Sequence, residues 1–243
     1  MKKDKIKFKY KFFLAFVAAA STLVIGFAFF AYQLINTPNI LVTEDLPDDV
    51  AEDYVYTLLI KKGDTFDQVV AQLNKDSVLV NEMYFRSVAK FRKYPEHIKA
   101  GRYIIEQNMS NFDLVQMLRA GKQTPVKITF NNVRLKQDLG GKLCKNIAAD
   151  SLKFSQLLND PAVVAKYGFD TTTIACMFLP NTYEVYWTID EHELLDKMHS
   201  EYKKIWTEER LQKADKQGLT PIQVSVLASI VDSETIKNEE KKR

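Results

Sequence analysis

The sequence predicts an α+β protein with a single N-terminal transmembrane helix, a small α+β module and then a largely helical α+β module. Three observations lead there. Phe12–Ile35 carries no charged side chain over more than the ~20 residues needed to cross hydrocarbon. Residues 54–122 hold two short strand-like runs interleaved with helix-period segments. Residues 123–243 contain one alternating run, Val126–Phe130, and an aromatic-rich extended stretch among otherwise helical patterns. The divisions are then 1–11 as a cytoplasmic tail, 12–35 as the membrane helix, 36–53 as a linker, and 54–122 and 123–243 as two outer modules.

The chain has 243 residues, 46% hydrophobic and 27% charged, enough for an anchor and one or two folded units. Its net charge of +3 is concentrated at the start, where six lysines face Asp4 in the first eleven residues, so the rest is slightly acidic. Nothing beyond the anchor reads as a nucleic-acid surface. Lysines ahead of Phe12–Ile35 hold the N-terminus in the cytoplasm, which puts the chain after Asn36 on the outer side of the cytoplasmic membrane. A cleaved signal peptide is the competing reading. Its apolar core, ending at Ala18-Ala19-Ala20, would be only about six residues long, so an uncleaved anchor is preferred.

Asn36–Asp53, with two prolines and an acidic run, has no sustained period and is read as a linker. In the first module Tyr56–Ile60 suits a strand and Lys62-Gly63-Asp64 a turn, and Thr65 caps a helix bearing Phe66, Val69, Val70 and Leu73. A second helix carries Met83, Phe85, Val88, Ala89 and Phe91. Gly101–Ile105 is a second strand, and Ser110 caps a helix that stops at Gly121.

In the second module Val126–Phe130 is a strand, Leu135–Ala148 a helix, Ser151 the cap of a helix to Leu158, and Pro161–Tyr167 a short helical stretch. Cys176–Trp187 is extended, interrupted by Pro180. Its Tyr183, Tyr186 and Trp187 suit either stacking on sugar rings or, more often for such runs, burial in a core. Glu193–Lys216 is predicted as one long amphipathic helix ended by Gly218.

The last helix opens at Thr220-Pro221-Ile222-Gln223, with a cap, a proline at the first helical position and a capping-box glutamine. A strand competes over Val224–Ile230, but Leu227 and Val231 break its alternation. At ~100° per residue Leu227, Ile230, Val231 and Glu234 share one face, expected to turn inward. A carboxyl on such a face would hold its proton near neutral pH and serve as a general acid; the plain alternative is a glutamate at the edge of the stripe with its head in water. Three histidines (His97, His192, His199) without metal-binding spacing make a metal site improbable. Cys144 and Cys176 leave both pairing and two separate buried thiols open.

Two resemblances follow from these residues. The stretch Tyr56–Leu73, with Gly63-Asp64-Thr65, resembles the opening of the LysM peptidoglycan-binding module, which implies contact with N-acetylated glycan; a bare turn and cap explain the same residues equally well. Phe178-Leu179-Pro180-Asn181-Thr182-Tyr183, some forty residues before Leu227-Ala228-Ser229-Ile230-Val231-Asp232-Ser233-Glu234-Thr235 and behind a single anchor, resembles the endolytic murein transglycosylases, the YceG-like or MltG family. The resemblance implies that 123–243 is the catalytic domain, that Glu234 is the catalytic glutamate, and that Asn181 and Tyr183 lie beside the substrate cleft. It implies cleavage between N-acetylmuramic acid and N-acetylglucosamine with no metal or cofactor, peptidoglycan glycan strands and the cytoplasmic membrane as partners, and a possible link to cell-wall synthases that rests on the anchor alone.

This chain departs from many members at Ala175-Cys176, where they have Glu-Gly, and at Asp232, where they have a further glutamate. Members continue past Glu234 with an Asn-Arg-Leu helix and an Asp-Pro-Thr segment, so the resemblance implies a C-terminally truncated catalytic domain. The alternative of a different class is a non-catalytic, membrane-tethered peptidoglycan-binding protein.

Overall fold

The computed structural model describes residues 2–36 and 55–234 apart from Asn132 and Arg134; the side chains of residues 2–12, 34–36 and 232–234 lie outside the described residues. The predicted linker falls almost wholly outside them. Helix α1 spans Lys2–Asn36, and its Phe13–Gln33 part, 21 residues with mean hydropathy 2.3 and no buried side chain, is long and apolar enough to cross a membrane. The chain divides into two compact units, 1–124 and 125–243.

In the first unit, strands β1 (Val55–Ile60) and β2 (Gly101–Glu106) pair antiparallel, with Leu58 opposite Tyr103 and Ile60 opposite Gly101. Helices α2 (Phe66–Lys75), α3 (Glu82–Phe91) and α4 (Asn111–Ala120) complete it. Each start has a local cause. Thr65 and Gln68 form a reciprocal capping box, the Asn81 side chain accepts from the Tyr84 amide, and Ser110 accepts from the Asp113 amide. Gly121 ends α4 in the left-handed conformation, at φ 73°. Leu58, Ile60, Leu73, Phe85, Tyr94, Tyr103 and Leu114 are wholly buried in one core.

In the second unit, β3 (Val126–Phe130) pairs antiparallel with β4 (Asn181–Val185), placing Ile128 opposite Tyr183 and Phe130 opposite Asn181. The helices are α5 (Asp138–Leu143), α6 (Ser151–Leu157), α7 (Pro161–Ala165), α8 (Glu191–Ile205), α9 (Glu208–Lys216) and α10 (Pro221–Glu234), with a 3-10 turn at Ile174–Met177. Their core gathers Phe130, Leu143, Phe154, Ile174, Met177, Leu194, Leu195 and Met198.

Four expectations need correction here. The helix predicted over Leu135–Ala148 is only Asp138–Leu143, for Gly140-Gly141 weakens it. Gly140 also lets α5 approach α6 closely: a Cβ there would stand 2.5 Å from the Ser151 carbonyl oxygen. Asp150, not Ser151, caps α6, its carboxylate accepting from the amides of Leu152 and Lys153. The helix predicted over Glu193–Lys216 is two helices, because Thr207 accepts from the Arg210 amide and starts α9 afresh after Trp206. The stretch expected to be extended from Cys176 begins instead in the 3-10 turn, and its strand starts at Asn181.

Candidate functional site

Helix α10 starts as its sequence dictates. The Thr220 amide donates to Gln223 Oε1 at 2.8 Å, and the Gln223 amide donates to Thr220 Oγ1 at 3.3 Å. Pro221 fits the first turn, where no amide is needed. Ile222 then packs against the core of the second unit, and that contact sets the rotation of the helix. Leu227 lies about 140° round from Ile222 at ~100° per residue, so the stripe expected to turn inward turns outward. Leu227 is 51%, Ile230 52% and Val231 39% exposed. The inward side is Ile222 and Ser225, whose hydroxyl donates to the Pro221 carbonyl at 3.0 Å.

A cavity of about 1000 Å³ opens in the second unit along that inward side. Phe178, Leu179 and Pro180 form one wall, Trp206 and Arg210 another, and Val224, Ser225 and Ser229 of α10 a third. The two segments quoted for the family resemblance, some forty residues apart in the chain, therefore face one another across a single space. Position 234 ends α10 five residues beyond Ser229, about 7.5 Å further along the axis. On the helical wheel it belongs with Leu227, Ile230 and Val231, roughly opposite Ser225. Its side chain lies outside the described residues.

Asn181 is exposed at the start of β4, next to the cavity-lining Pro180, and its Oδ1 accepts from the Thr182 amide at 2.8 Å. Tyr183 is placed differently from a sugar-stacking residue. Only 5% of it is exposed, and its ring lies against Phe130 with centroids 5.8 Å apart at 20°. Its hydroxyl donates to the Leu179 carbonyl at 2.5 Å, and burial pushes its pKa up to about 12. The reason is register: in strand β4 every second residue turns inward, and Tyr183 and Val185 do so together. Tyr183 thus fixes the wall on which Leu179 and Pro180 stand. Tyr186 is exposed, and Glu184 lies on the open face within 3.8 Å of Lys127 across the sheet.

Basic residues on the cavity went unread in the sequence. Lys136 Nζ donates to Asn159 Oδ1 at 2.6 Å and the Thr171 carbonyl at 2.7 Å, while Arg210 Nη1 donates to the Ile205 carbonyl at 3.0 Å. Both line the cavity, and nothing in a linear text separates them from ordinary surface cations. In the first unit, Gly63 adopts φ 92°, the Lys61 amide donates to Asp64 Oδ2 at 2.6 Å, and Thr65 caps α2. Gly63, Asp64 and Thr65 thus each take part in turning the chain into α2. Cys144 and Cys176 are both free thiols; burial first, then Glu191 and Asp150, push the Cys144 thiol up to about 11, which leaves it inert. Among the described residues no three His, Cys, Asp or Glu side chains come together as metal ligands.

The model of the YceG-like family matches residues 58–243, from within β1 through α10. The chain belongs to the YceG-like family. A 2.6 Å crystal structure of a YceG-like protein from Listeria monocytogenes is similar to it at 17% identity, over 77% of this chain and 67% of the other, with a TM-score of 0.44. No curated protein matches this YceG-like chain.

Proposed function

We propose that this YceG-like protein is a membrane-anchored endolytic transglycosylase that cuts the β-1,4 bond between N-acetylmuramic acid and N-acetylglucosamine and leaves 1,6-anhydro ends. The observation that carries the reading is the family match over 58–243, which takes in the helix ending at Glu234. The family is associated with lytic transglycosylase activity.

One carboxyl suffices for this chemistry. Glu234, protonated, gives its proton to the glycosidic oxygen as the bond from muramic acid C1 breaks. The 6-hydroxyl oxygen of the same sugar then bonds to C1, and its proton passes to the Glu234 carboxylate, which restores the acid. No water is consumed, and no second carboxylate is required, unlike in the hydrolytic schemes. The cavity between Phe178–Pro180 and α10, with Asn181 at its rim, is assigned to sugar rings further along the glycan strand from the bond that is cut. The first unit, through the turn at Gly63, is assigned a glycan-holding role. Helix α1 keeps both units at the outer surface of the cytoplasmic membrane, with the glycan strand as partner; a link to cell-wall synthases would follow from that location alone.

A second reading, a tethered peptidoglycan-binding protein without catalysis, is favoured by one observation. Leu227, Ile230 and Val231 of α10 are exposed, so the apolar stripe of the helix offers no dry wall of the kind that raises the pKa of a general acid. Incubating the detergent-solubilised protein, expressed from its own gene, with purified sacculi separates the two. A transglycosylase releases anhydromuropeptide-ended chains; a binder sediments with the sacculi and releases none.

A further inference from the structure

We propose that the outer face of α3 rests on the lipid headgroups at the C-terminal end of the anchor, so that the first unit lies against the bilayer and does not swing free of it. This rests on α1 spanning the membrane. The depth is set by a ring contact: Phe30 of α1 meets Tyr84 of α3 edge-on, with centroids 6.1 Å apart. Phe30 stands only three residues, about 4.5 Å, before Gln33, where the apolar stretch ends. Tyr84 is thereby held at the boundary between hydrocarbon and water, where tyrosine is favoured.

What α3 offers at that boundary is an unpartnered apolar face. Phe85, Val88 and Ala89 are buried in the core of the unit, whereas Met83 is 61% exposed and Phe91 83%. Ser87, Lys90 and Phe91 all lie within about 80° of Met83 on the helical wheel, so the exposed residues form one stripe. Among the described residues Lys90 has no carboxylate within ion-pair distance; Arg86 pairs with both Glu82 and Asp67 and Arg92 lies over the Phe112 ring, which leaves the exposed Lys90 and Lys93 as the cations beside the stripe. Two large apolar side chains flanked by lysines that reach outward make an interfacial surface for anionic lipid. A bilayer is the occupant to which the page points, because the helix that touches Tyr84 is the one that crosses it.

The test uses the whole chain in vesicles of phosphatidylcholine and phosphatidylglycerol whose acyl chains are brominated near the headgroup. Met83→Trp and Phe91→Trp are each compared with wild type, whose Trp187 and Trp206 give the background, and with Leu152→Trp on the exposed surface of the second unit. Emission added at positions 83 and 91 is expected to shift to the blue and to fall by about half, as for an amphipathic helix lying in the interface, while that at 152 is unchanged. If the protein resists alkaline extraction but neither position is quenched, the inference is overturned and the anchor stands. Shielding of both positions from aqueous iodide without bromine quenching would give the face to another protein surface and also overturn it. Extraction by alkali would remove the anchor and the inference together.

Discussion

Replacing Tyr183 by phenylalanine separates a wall-building role from a sugar-stacking one. The substitution keeps the ring, which is 95% withdrawn from solvent against Phe130, and removes only the hydroxyl that donates to the Leu179 carbonyl. Losing one such neutral hydrogen bond costs about 1 kcal/mol, which in a unit of this size lowers its melting point by roughly 3–6 °C. Tyr183→Ala, which also empties the ring's place in the core, costs about 3–5 kcal/mol. Calorimetry of the detergent-solubilised protein reads both, and sedimentation with sacculi reads glycan affinity. The expected result is that Tyr183→Phe melts lower yet binds glycan as wild type does, because the segment from Phe178 to Pro180 keeps its support. A melting point unchanged by Tyr183→Phe together with weakened glycan binding would refute the placement, for the hydroxyl would then be meeting sugar and not Leu179.

Two other perturbations test the fold. Gly140→Ala should destabilise the second unit by about 1–3 kcal/mol, since its Cβ would meet the Ser151 carbonyl oxygen at 2.5 Å and Ser155 Oγ at 2.4 Å; an unchanged melting point would mean that α5 and α6 are further apart. Stability should also fall in alkali. Burial pushes Tyr103 and Tyr183 up to about 12, above the ordinary 10.0, so the unfolded chain sheds these protons first. The stabilisation is complete below pH 10 and is lost as pH rises toward 12; a flat denaturation midpoint across that range would contradict the burial.

What could be read from the chain was mostly local chemistry. Thr65, Ser110 and Thr220 announced their helices because a cap and the amide it accepts from lie within four residues of one another. Tertiary geometry decided what was not legible. The rotation of α10 depends on Ile222 meeting residues of distant elements, so periodicity marked an apolar stripe correctly but not the direction it faces. The break after Trp206 hid inside a run of good helix formers, and Gly140 sits in α5 to suit Ser151, a neighbour eleven residues on. For the site, the segment Phe178–Tyr183 and the last helix were visible as text. That they share one cavity, that Tyr183 serves it from inside the core, and that Lys136 and Arg210 line it are products of folding.

Glu234→Gln in the protein expressed from its own gene, assayed on purified sacculi, tests the proposed chemistry most directly. Glutamine keeps the shape and much of the hydrogen bonding of the side chain but can neither give nor take the proton, so release of 1,6-anhydro ends should fall by ~10² or more. Sedimentation with sacculi should be retained, and Glu184→Gln, on the open face of β4 beside Lys127, should release anhydro ends at close to the wild-type rate. Undiminished anhydro ends from Glu234→Gln would contradict the assignment of Glu234 as the acid and base.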